Sequence, residues 1–259
     1  MASWKSSGST NDSHVQQPLP QNLSVLAVDN ALIARLPGSD RAHLLSGAEE
    51  VPLALAQVLW RPGEPVTHVY FPIRGFICLI ATDPSPSGLE IAMIGREGML
   101  GTQAVLGSDR APFRAVVHAE GWAWRMPMDV FQQHLSCHPA TKQLLDRYVT
   151  FRLSQLATLA HCLCYHEVGP RLARWLLMSQ DRAGSNRFRV TQEALGSMLG
   201  VRRVSVTTAA MALQHRGVIA YHRGDLQVLD RKALEQAACG CYFSDLERYA
   251  ALFYATHSG

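Results

Sequence analysis

Residues 191–217 read TQEALGSMLGVRRVSVTTAAMALQHRG, and this stretch predicts two short helices joined by a tight turn. Thr191 can cap the first helix, and Gly200 allows the backbone to turn before the second helix begins. We expect Val204 and Leu213 to pack the second helix into the core. This arrangement is typical of a helix-turn-helix, in which the start of the second helix contacts base edges in the major groove of DNA.

A β-hairpin is predicted directly after the second helix. Gly217 ends that helix, and residues 219–229 form two short runs around Arg223-Gly224-Asp225, a sequence that suits a tight turn. A hairpin at this place corresponds to the wing of a winged helix-turn-helix, which makes the prediction of a DNA-binding domain more specific.

The charge distribution favours a nucleic-acid partner for the same region. Residues 167–230 carry nine arginines and five acidic residues, a net charge of +4, whereas residues 24–136 have a net charge of −3. The planar guanidinium of arginine suits phosphate and guanine better than the ammonium of lysine does. Enrichment of arginine by a GC-rich genome is the alternative explanation.

The N-terminal part predicts an antiparallel β domain preceded by a disordered leader. Residues 1–23 are rich in Ser, Gln, Asn and Pro, and they contain too few large apolar residues to offset the entropy of ordering. Residues 51–127 consist of short apolar or alternating runs separated by glycine and proline, as in an antiparallel sandwich or barrel. The predicted strands are 57–60, 69–71, 76–81, 89–94, 114–118 and 122–125.

One long helix is predicted between these two parts. Residues 139–164 contain neither glycine nor proline after Pro139, which suits the first turn of a helix. Apolar residues at spacings of three and four form a seam, through which we expect two copies of the chain to pair. Packing of the helix against its own domain is the alternative. The seam residues are Leu145, Tyr148, Leu156, Leu159 and Cys162.

Composition excludes several classes of protein. The 259 residues are 47% hydrophobic and 17% charged, which is enough for two domains with substantial cores. The sequence shows neither an apolar run of membrane-spanning length nor a secretory signal, so we expect a cytoplasmic protein with no membrane partner. Six cysteines are too few for a disulfide scaffold, and we expect reduced thiols. We find no nucleophile elbow, catalytic metal triad or phosphate-binding loop, so we expect no enzyme.

The order of a β-rich domain, a long helix and a winged helix-turn-helix resembles the Crp/Fnr superfamily of bacterial transcription regulators. Arg61-Pro-Gly-Glu64 resembles the early β-roll turn of this family, and Gly98-Met-Leu-Gly101 resembles the start of its ligand cassette. The resemblance implies an α+β protein that forms a homodimer, binds a palindromic DNA operator and contacts RNA polymerase. The implied domains are a leader at 1–23, an antiparallel β-roll at 24–136, a dimerisation helix at 137–166 and a winged helix-turn-helix with a C-terminal helix at 167–259.

The effector site departs from the cyclic-nucleotide pattern of the family. Members that bind cyclic nucleotides hold the ribose with a glutamate and the phosphate with an arginine, and this sequence has Thr102 and Phe113 at these positions. We therefore expect no cofactor and an effector other than a cyclic nucleotide. A one-residue shift that makes Arg114 the phosphate ligand is the alternative. The candidate effector residues are Gly101, Thr102, Gln103, Arg114 and Ala115.

Metal sites are not expected from the spacing of the cysteines. Members that hold an iron-sulfur cluster use cysteines near the N-terminus, and this chain has none before Cys78, which we expect in the core. Cys162-Leu-Cys164 and Cys239-Gly-Cys241 offer suitable residue types, with His161 and His166 close in sequence to the first pair. Each pair alone, however, supplies only two of the four ligands that a structural zinc requires.

The resemblance also implies roles in DNA reading. Arg203 matches the arginine that reads guanine through two hydrogen bonds, whereas Arg202 and Arg223 are expected on backbone phosphates. Val204 and Thr208 replace two charged residues of the family pattern, so a second hypothesis is a sensor or docking module that acts through protein contacts. The predicted DNA-binding residues are Thr191, Gln192, Arg202, Arg203, Ser205, Thr207, Thr208 and Arg223.

Overall fold

A computed structural model describes residues 30–82 and 88–254 of the chain. The expected leader, residues 1–23, lies outside these described residues. A 3-10 turn at Ile33–Arg35 and helix α1 at Gly38–Ser46 precede the sheet.

Five antiparallel strands form the N-terminal sheet, and they are paired in the order β1-β5-β3-β4, with β2 also paired to β5. This arrangement confirms the predicted antiparallel β domain. Strand β1 was not predicted from the sequence. Two of its five residues are glutamates and one is proline, so this edge strand lacks the apolar pattern that predicts a strand. The strands are β1 Glu49–Leu53, β2 Val58–Trp60, β3 His68–Thr82, β4 Gly88–Ile94 and β5 Arg114–Pro127.

Two pairs of predicted strands are single long strands in the structure. The runs at 69–71 and 76–81 both belong to β3, and the runs at 114–118 and 122–125 both belong to β5. The register between β3 and β5 shifts where Gly75 and Gly121 lie, so the strands bend there but do not end. A Cβ on Gly121 would lie 2.1 Å from the carbonyl oxygen of Arg74, so only glycine fits this approach.

Short helices close the β-roll and lead into the long helix. Helix α2 at Thr102–Val105 follows the cassette, and helix α3 at Met128–Cys137 follows β5. Tyr148 of the long helix is buried in the β-roll core, and its hydroxyl accepts a hydrogen bond from the Met99 amide at 3.3 Å.

The long helix α4 runs from Pro139 to Tyr165, within one residue of its predicted end. The predicted seam is wrong for three of its residues. Leu145 and Tyr148 pack into the β-roll of their own chain, and Cys162 is buried beside Cys239. A different stripe in the second half of α4 is open. It consists of Leu153, Leu156, Ala157, Ala160 and Cys164.

The C-terminal domain is a winged helix-turn-helix with two further helices. A three-stranded antiparallel sheet has the order β6-β8-β7, of which the sequence analysis predicted only the two hairpin strands. The elements are α5 Val168–Ala183, β6 Arg187–Arg189, α6 Gln192–Leu199, α7 Arg203–His215, β7 Ile219–His222, β8 Asp225–Val228, α8 Arg231–Ala237 and α9 Cys241–Tyr254.

The two domains share a buried interface. Phe76, Cys78 and Met93 on the β3–β4 face belong to the same hydrophobic cluster as Leu172 and Leu176 of α5. Cys78 is therefore a core residue, as expected. Within the described ranges, none of the helices combines the length and apolar character of a membrane span.

Candidate DNA interface and effector site

The turn between α6 and α7 has the geometry that the sequence predicts. The Thr191 hydroxyl caps α6 by accepting a hydrogen bond from the Ala194 amide at 3.1 Å. Gly200 ends this helix with φ of 63°, a left-handed conformation that glycine adopts without strain. A Cβ on Gly196 would lie 2.9 Å from the Val201 carbonyl oxygen, so the missing side chain lets the turn pack closely.

Helix α7 presents its first turns to solvent. Arg203 is its first residue and is exposed, and Val204 is 74% exposed. The expectation that Val204 packs into the core is wrong. Val206, Ala210 and Leu213 share the buried face at helical spacing, and Val204 lies on the opposite side.

A further exposed row of side chains on this face of α7 was not predicted from the sequence. Val204, Thr208 and Met211 follow one another at spacings of four and three, and all three are exposed. Exposed large apolar residues at the start of a recognition helix can contact thymine methyl groups in the major groove. The sequence contains a signal for this exposed row. Val204 and Val206 are two residues apart and lie on nearly opposite faces of a helix, so only one of them can face the core.

Residues of the first helix, the second helix and the wing line one surface concavity. Arg203 of α7 lies there with Thr191, Gln192, Tyr221 and Arg223. The structure thus brings together four of the eight predicted DNA-binding residues.

A hydrogen bond fixes this concavity between the two helices. The Thr207 hydroxyl donates to the Gln192 side-chain oxygen at 2.7 Å. Thr207 therefore positions Gln192 at the surface, in addition to the direct DNA role predicted for it. Ser205 is half-buried on α7, and Thr208 is exposed.

The wing is anchored to the helix-turn-helix. The Tyr221 hydroxyl donates to the Val190 carbonyl at 2.7 Å, and the Val190 amide donates to the Gly224 carbonyl at 2.8 Å. At its tip Arg223 and Gly224 both have positive φ, 49° and 85°, as in a two-residue hairpin turn. This conformation strains Arg223, which is exposed and lines the same concavity as Arg203.

The arginines of this surface form no ion pair within the described part of the chain, although Glu193 lines the same concavity. Among the described residues, neither Arg202, Arg203 nor Arg223 forms an ion pair. Arg202 precedes α7 and is exposed like Arg203. An arginine that is not neutralised within the chain is available for a phosphate or a guanine.

The predicted effector residues lie around α2 and the start of β5. Gly101 precedes α2 with φ of 115°, and a Cβ on it would lie 2.7 Å from a methyl carbon of Val69. Thr102 and Gln103 begin α2 and are half-buried, and Ala115 on β5 is fully buried.

Two donors in this part of the β-roll lack a partner. The Nε atom of Arg114 and the Nε2 atom of Gln103 are buried and have no hydrogen bond to any described residue. A buried donor without an acceptor costs free energy, so these atoms suit a ligand that carries acceptor oxygens.

The turn at 95–98 is a polar turn, closed by a hydrogen bond from the Gly98 amide to the Gly95 carbonyl.

A buried polar contact links β4 to the DNA-binding domain. The Trp175 indole of α5 donates to a carboxylate oxygen of Glu90 at 3.0 Å. Burial raises the pKa of Glu90 to about 7. Burial, helped by the charge of Arg114, lowers the pKa of the neighbouring His118 to about 4, so this imidazole is neutral at pH 7. A second contact joins Arg182 of α5 to Glu97 at 2.8 Å.

The structure also brings together four thiol and imidazole groups that are far apart in sequence. Cys162 and His166 lie at the end of α4, and Cys239 and Cys241 lie at the start of α9. One ligand atom from each of the four lies within 4.8 Å of every other. This cluster was not predicted from the sequence, because 77 residues separate Cys162 from Cys239.

Comparisons with known proteins agree with this architecture. The family model of the cyclic nucleotide-binding domain matches residues 50–138, and the model of the Crp-like helix-turn-helix domain matches residues 170–237. The molecule is thus a two-domain regulator in which a β-roll precedes a DNA-binding domain.

Relatives and solved structures show the same combination. The global nitrogen regulator of Synechococcus elongatus is 22% identical over 73% of this chain and 92% of its own length. A cAMP-activated, CRP-like global transcriptional regulator of Mycobacterium tuberculosis is 23% identical over 76% of this chain and 91% of its own length. A Crp/Fnr-family structure from Eubacterium rectale has a TM-score of 0.63 at 16% identity, covering 80% of this chain and 97% of its own. The chain belongs to the Crp/Fnr superfamily of transcription regulators.

Proposed function

We propose that the chain is a homodimeric, sequence-specific DNA-binding transcription regulator, controlled by an effector that binds in the β-roll. The observation that carries this proposal is the surface at the start of α7 and the wing. Arg202, Arg203 and Arg223 are exposed there and have no ion pair within the described residues. The partner is double-stranded DNA, which places the protein in the cytoplasm, and RNA polymerase is the second partner of a regulator that acts at promoters.

Base reading is assigned to the first turns of α7. Arg203 stands at the first position of the helix, from which recognition helices reach base edges, and its guanidinium can donate two hydrogen bonds to one guanine. Val204 and Met211 add apolar contacts to thymine methyl groups. Arg202 and Arg223 flank this face and bind phosphate. Phosphate binding positions the protein on DNA without reading sequence.

Pairing of two chains is assigned to the second half of α4. Leu153, Ala157, Ala160 and Cys164 are exposed and follow one another at spacings of four, three and four, which is the pattern of a helix-helix seam. Leu153 is 62% exposed and Leu156 is 38% exposed, so the stripe presents two neighbouring large apolar side chains to solvent, as an interaction surface does. A two-fold dimer through this stripe implies a palindromic operator with half-sites about 34 to 36 Å apart.

The effector is proposed to carry acceptor oxygens that meet Arg114 and Gln103. Both side chains hold a buried donor without a partner among the described residues. A cyclic nucleotide is the second candidate, favoured by the free guanidinium Nε of Arg114 and disfavoured by Thr102, which has no carboxylate for a ribose hydroxyl. Calorimetric titration with cyclic AMP separates the two. A micromolar Kd, about 8 kcal/mol of binding free energy, would make Arg114 the phosphate ligand.

Transmission from effector to DNA follows the buried interface. Strand β4 contacts α5 through Glu90 and Trp175, and it also contacts the end of α6, where Leu89 lies against Gly200. A ligand that shifts β4 therefore moves the helix-turn-helix directly.

The experiment that tests the proposal is a salt titration of binding to promoter fragments selected by the purified protein. DNA affinity must fall as the salt concentration rises, because counterions compete with the arginines for phosphate. Leu153→Glu combined with Leu156→Glu should yield monomers in sedimentation and weaken operator binding. A dimer that binds no DNA at any salt concentration would instead favour a docking module acting through protein contacts.

A further inference from the structure

We propose that Cys162, His166, Cys239 and Cys241 form a binding site for a thiophilic divalent metal ion of the zinc class, with three thiolates and one imidazole as ligands. The site joins the C-terminal end of α4 to the start of α9. It lies apart from both the DNA-reading surface and the candidate effector residues.

The distances within the cluster suit tetrahedral zinc. The sulfur atoms of Cys162 and Cys239 lie 3.6 Å apart, and the Cys241 sulfur lies 3.6 Å from Nδ1 of His166. Zinc bound at the usual lengths separates two sulfur ligands by about 3.8 Å and a sulfur from a nitrogen ligand by about 3.6 Å. All four ligand atoms lie within 4.8 Å of one another, so small adjustments of side-chain rotamers complete the tetrahedron.

Local backbone structure places each pair of ligands. Cys162 and His166 are one helical turn apart, and the His166 amide still bonds to the Cys162 carbonyl at 3.2 Å. Cys241 is the first residue of α9. The positive end of a helix dipole favours thiolate at this position.

The three thiols of the proposed site lie apart from the apolar cores. Cys162, Cys239 and Cys241 are all buried, but they form a cluster of their own, separate from the two large hydrophobic cores. The nearby guanidinium of Arg174 is itself paired with Asp245 at 2.7 Å. A divalent ion would therefore supply the positive charge that holds the three sulfur atoms as thiolates.

Two other groups of potential ligands fit a metal less well. His43, His134 and His138 offer three ligands, and so do Cys78, Glu90 and His118. Each group is one ligand short of the four that a closed structural zinc site requires. The cluster at the end of α4 is the group with four ligands among the described residues.

A metal at this site would fix the bend between the two domains. The chain turns from α4 into α5 directly after His166. Helix α9 then runs back along α4, and near its far end the Tyr249 hydroxyl donates to the Glu97 carbonyl of the β-roll at 2.8 Å. The metal would hold the start of α9 to the bend, and Tyr249 holds its other part to the β-roll.

The test is metal analysis of the full-length chain, purified under a phosphine reductant. We expect one zinc per chain in the parent protein. Cys239→Ser and Cys241→Ser should lose this zinc, whereas Cys137→Ser should retain it. Cys137 is the matched control, because it is an exposed cysteine of α3 that is neither a proposed ligand nor part of the pairing stripe of α4.

A second measurement does not depend on the folding of any variant. Cobalt(II) added to the metal-depleted parent should give the intense visible d-d bands of tetrahedral thiolate coordination, and zinc should abolish them. Absence of both stoichiometric zinc and the cobalt spectrum would overturn the proposal. So would equal loss of zinc in Cys137→Ser, or a Cys162–Cys239 disulfide in metal-free protein isolated without reductant that takes up no zinc after reduction.

Discussion

Two faces of the DNA-binding domain differ in the burial and ion pairing of their arginines. On the face docked against the β-roll, Arg182 is 10% exposed and pairs with Glu97 at 2.8 Å. On the face formed by α7 and the wing, Arg203 and Arg223 are exposed and have no ion pair within the described residues. Burial requires that a charge be paired, whereas an exposed arginine without a partner suits a ligand. The contrast distinguishes the structural arginines of this domain from those assigned to DNA.

The largest expected effect is on the docked face. Arg182→Ala should lower the free energy of unfolding by about 3 to 5 kcal/mol, because it leaves the largely buried carboxylate of Glu97 without its partner. Arg203→Ala is the matched control and should change stability by less than about 0.5 kcal/mol. Urea denaturation measures both variants. If they are equally stable, Arg182 is not a structural arginine in the sense that distinguishes it from Arg203.

A somewhat smaller effect concerns the pH dependence of stability. The pKa of Glu90 is raised by burial from 4.5 to about 7, so the folded state binds more protons than the unfolded state between these values. Its contribution to stability therefore falls by about 3 kcal/mol as pH rises from about 4.5 to 7.

Glu90→Gln should remove this dependence. The pKa of His118 and that of His134 are both lowered to about 4 by burial, so these imidazoles act in the opposite sense, and the difference between parent and variant isolates Glu90. Urea denaturation at pH 5 and pH 7.5 measures this difference. If the two proteins show parallel pH profiles, Glu90 is ionised in the folded state.

The next effect is on specific DNA affinity. Arg203→Ala should cost about 1 to 3 kcal/mol on the selected operator and much less on unrelated DNA, because a bidentate contact to one guanine is lost. Fluorescence anisotropy on both DNA fragments measures this difference. An equal loss on both would show that Arg203 binds phosphate.

The smallest effects concern phosphate contacts. Arg202→Ala should weaken all sequences alike and reduce the log-log salt slope by about 0.9 per contact, or twice this value in a symmetric dimer. Arg223→Asn should act similarly on binding without loss of stability, because asparagine tolerates the positive φ of this position better than arginine does. Arg216→Asn, at the far end of α7, is the control and should leave the slope unchanged.

The order of the domains and the elements of the DNA reader were predictable from sequence. Local signals sufficed there: Thr191 as a cap, Gly200 as a left-handed helix end, and Arg223-Gly224 as a hairpin turn are all confirmed. The open stripe of α4 was not predictable, because apolar residues of both its faces share helical spacing. Only the position of the β-roll shows that Tyr148 is covered and Leu153 is open.

The cysteine cluster and the domain contact required tertiary structure for a different reason. Cys162 meets Cys239, and Glu90 meets Trp175, across long separations in the chain. Neither the periodicity of a sequence nor the spacing of its motifs can predict a contact between side chains so far apart in the chain. In the sequence, each cysteine pair alone offers only two ligands for a metal. In the fold, Cys162 and His166 lie beside Cys239 and Cys241, which gives four ligands.

The most direct test of the central claim is selection of binding sites from random DNA by the parent, Arg203→Ala and Arg202→Ala. We expect the parent to select a palindrome with a guanine preference in each half-site. Arg203→Ala should return the same half-site spacing without that preference, and Arg202→Ala should return the parental preferences. If Arg203→Ala selected the same bases as the parent, Arg203 would not be the base reader, and the assignment of the α7 surface would be contradicted.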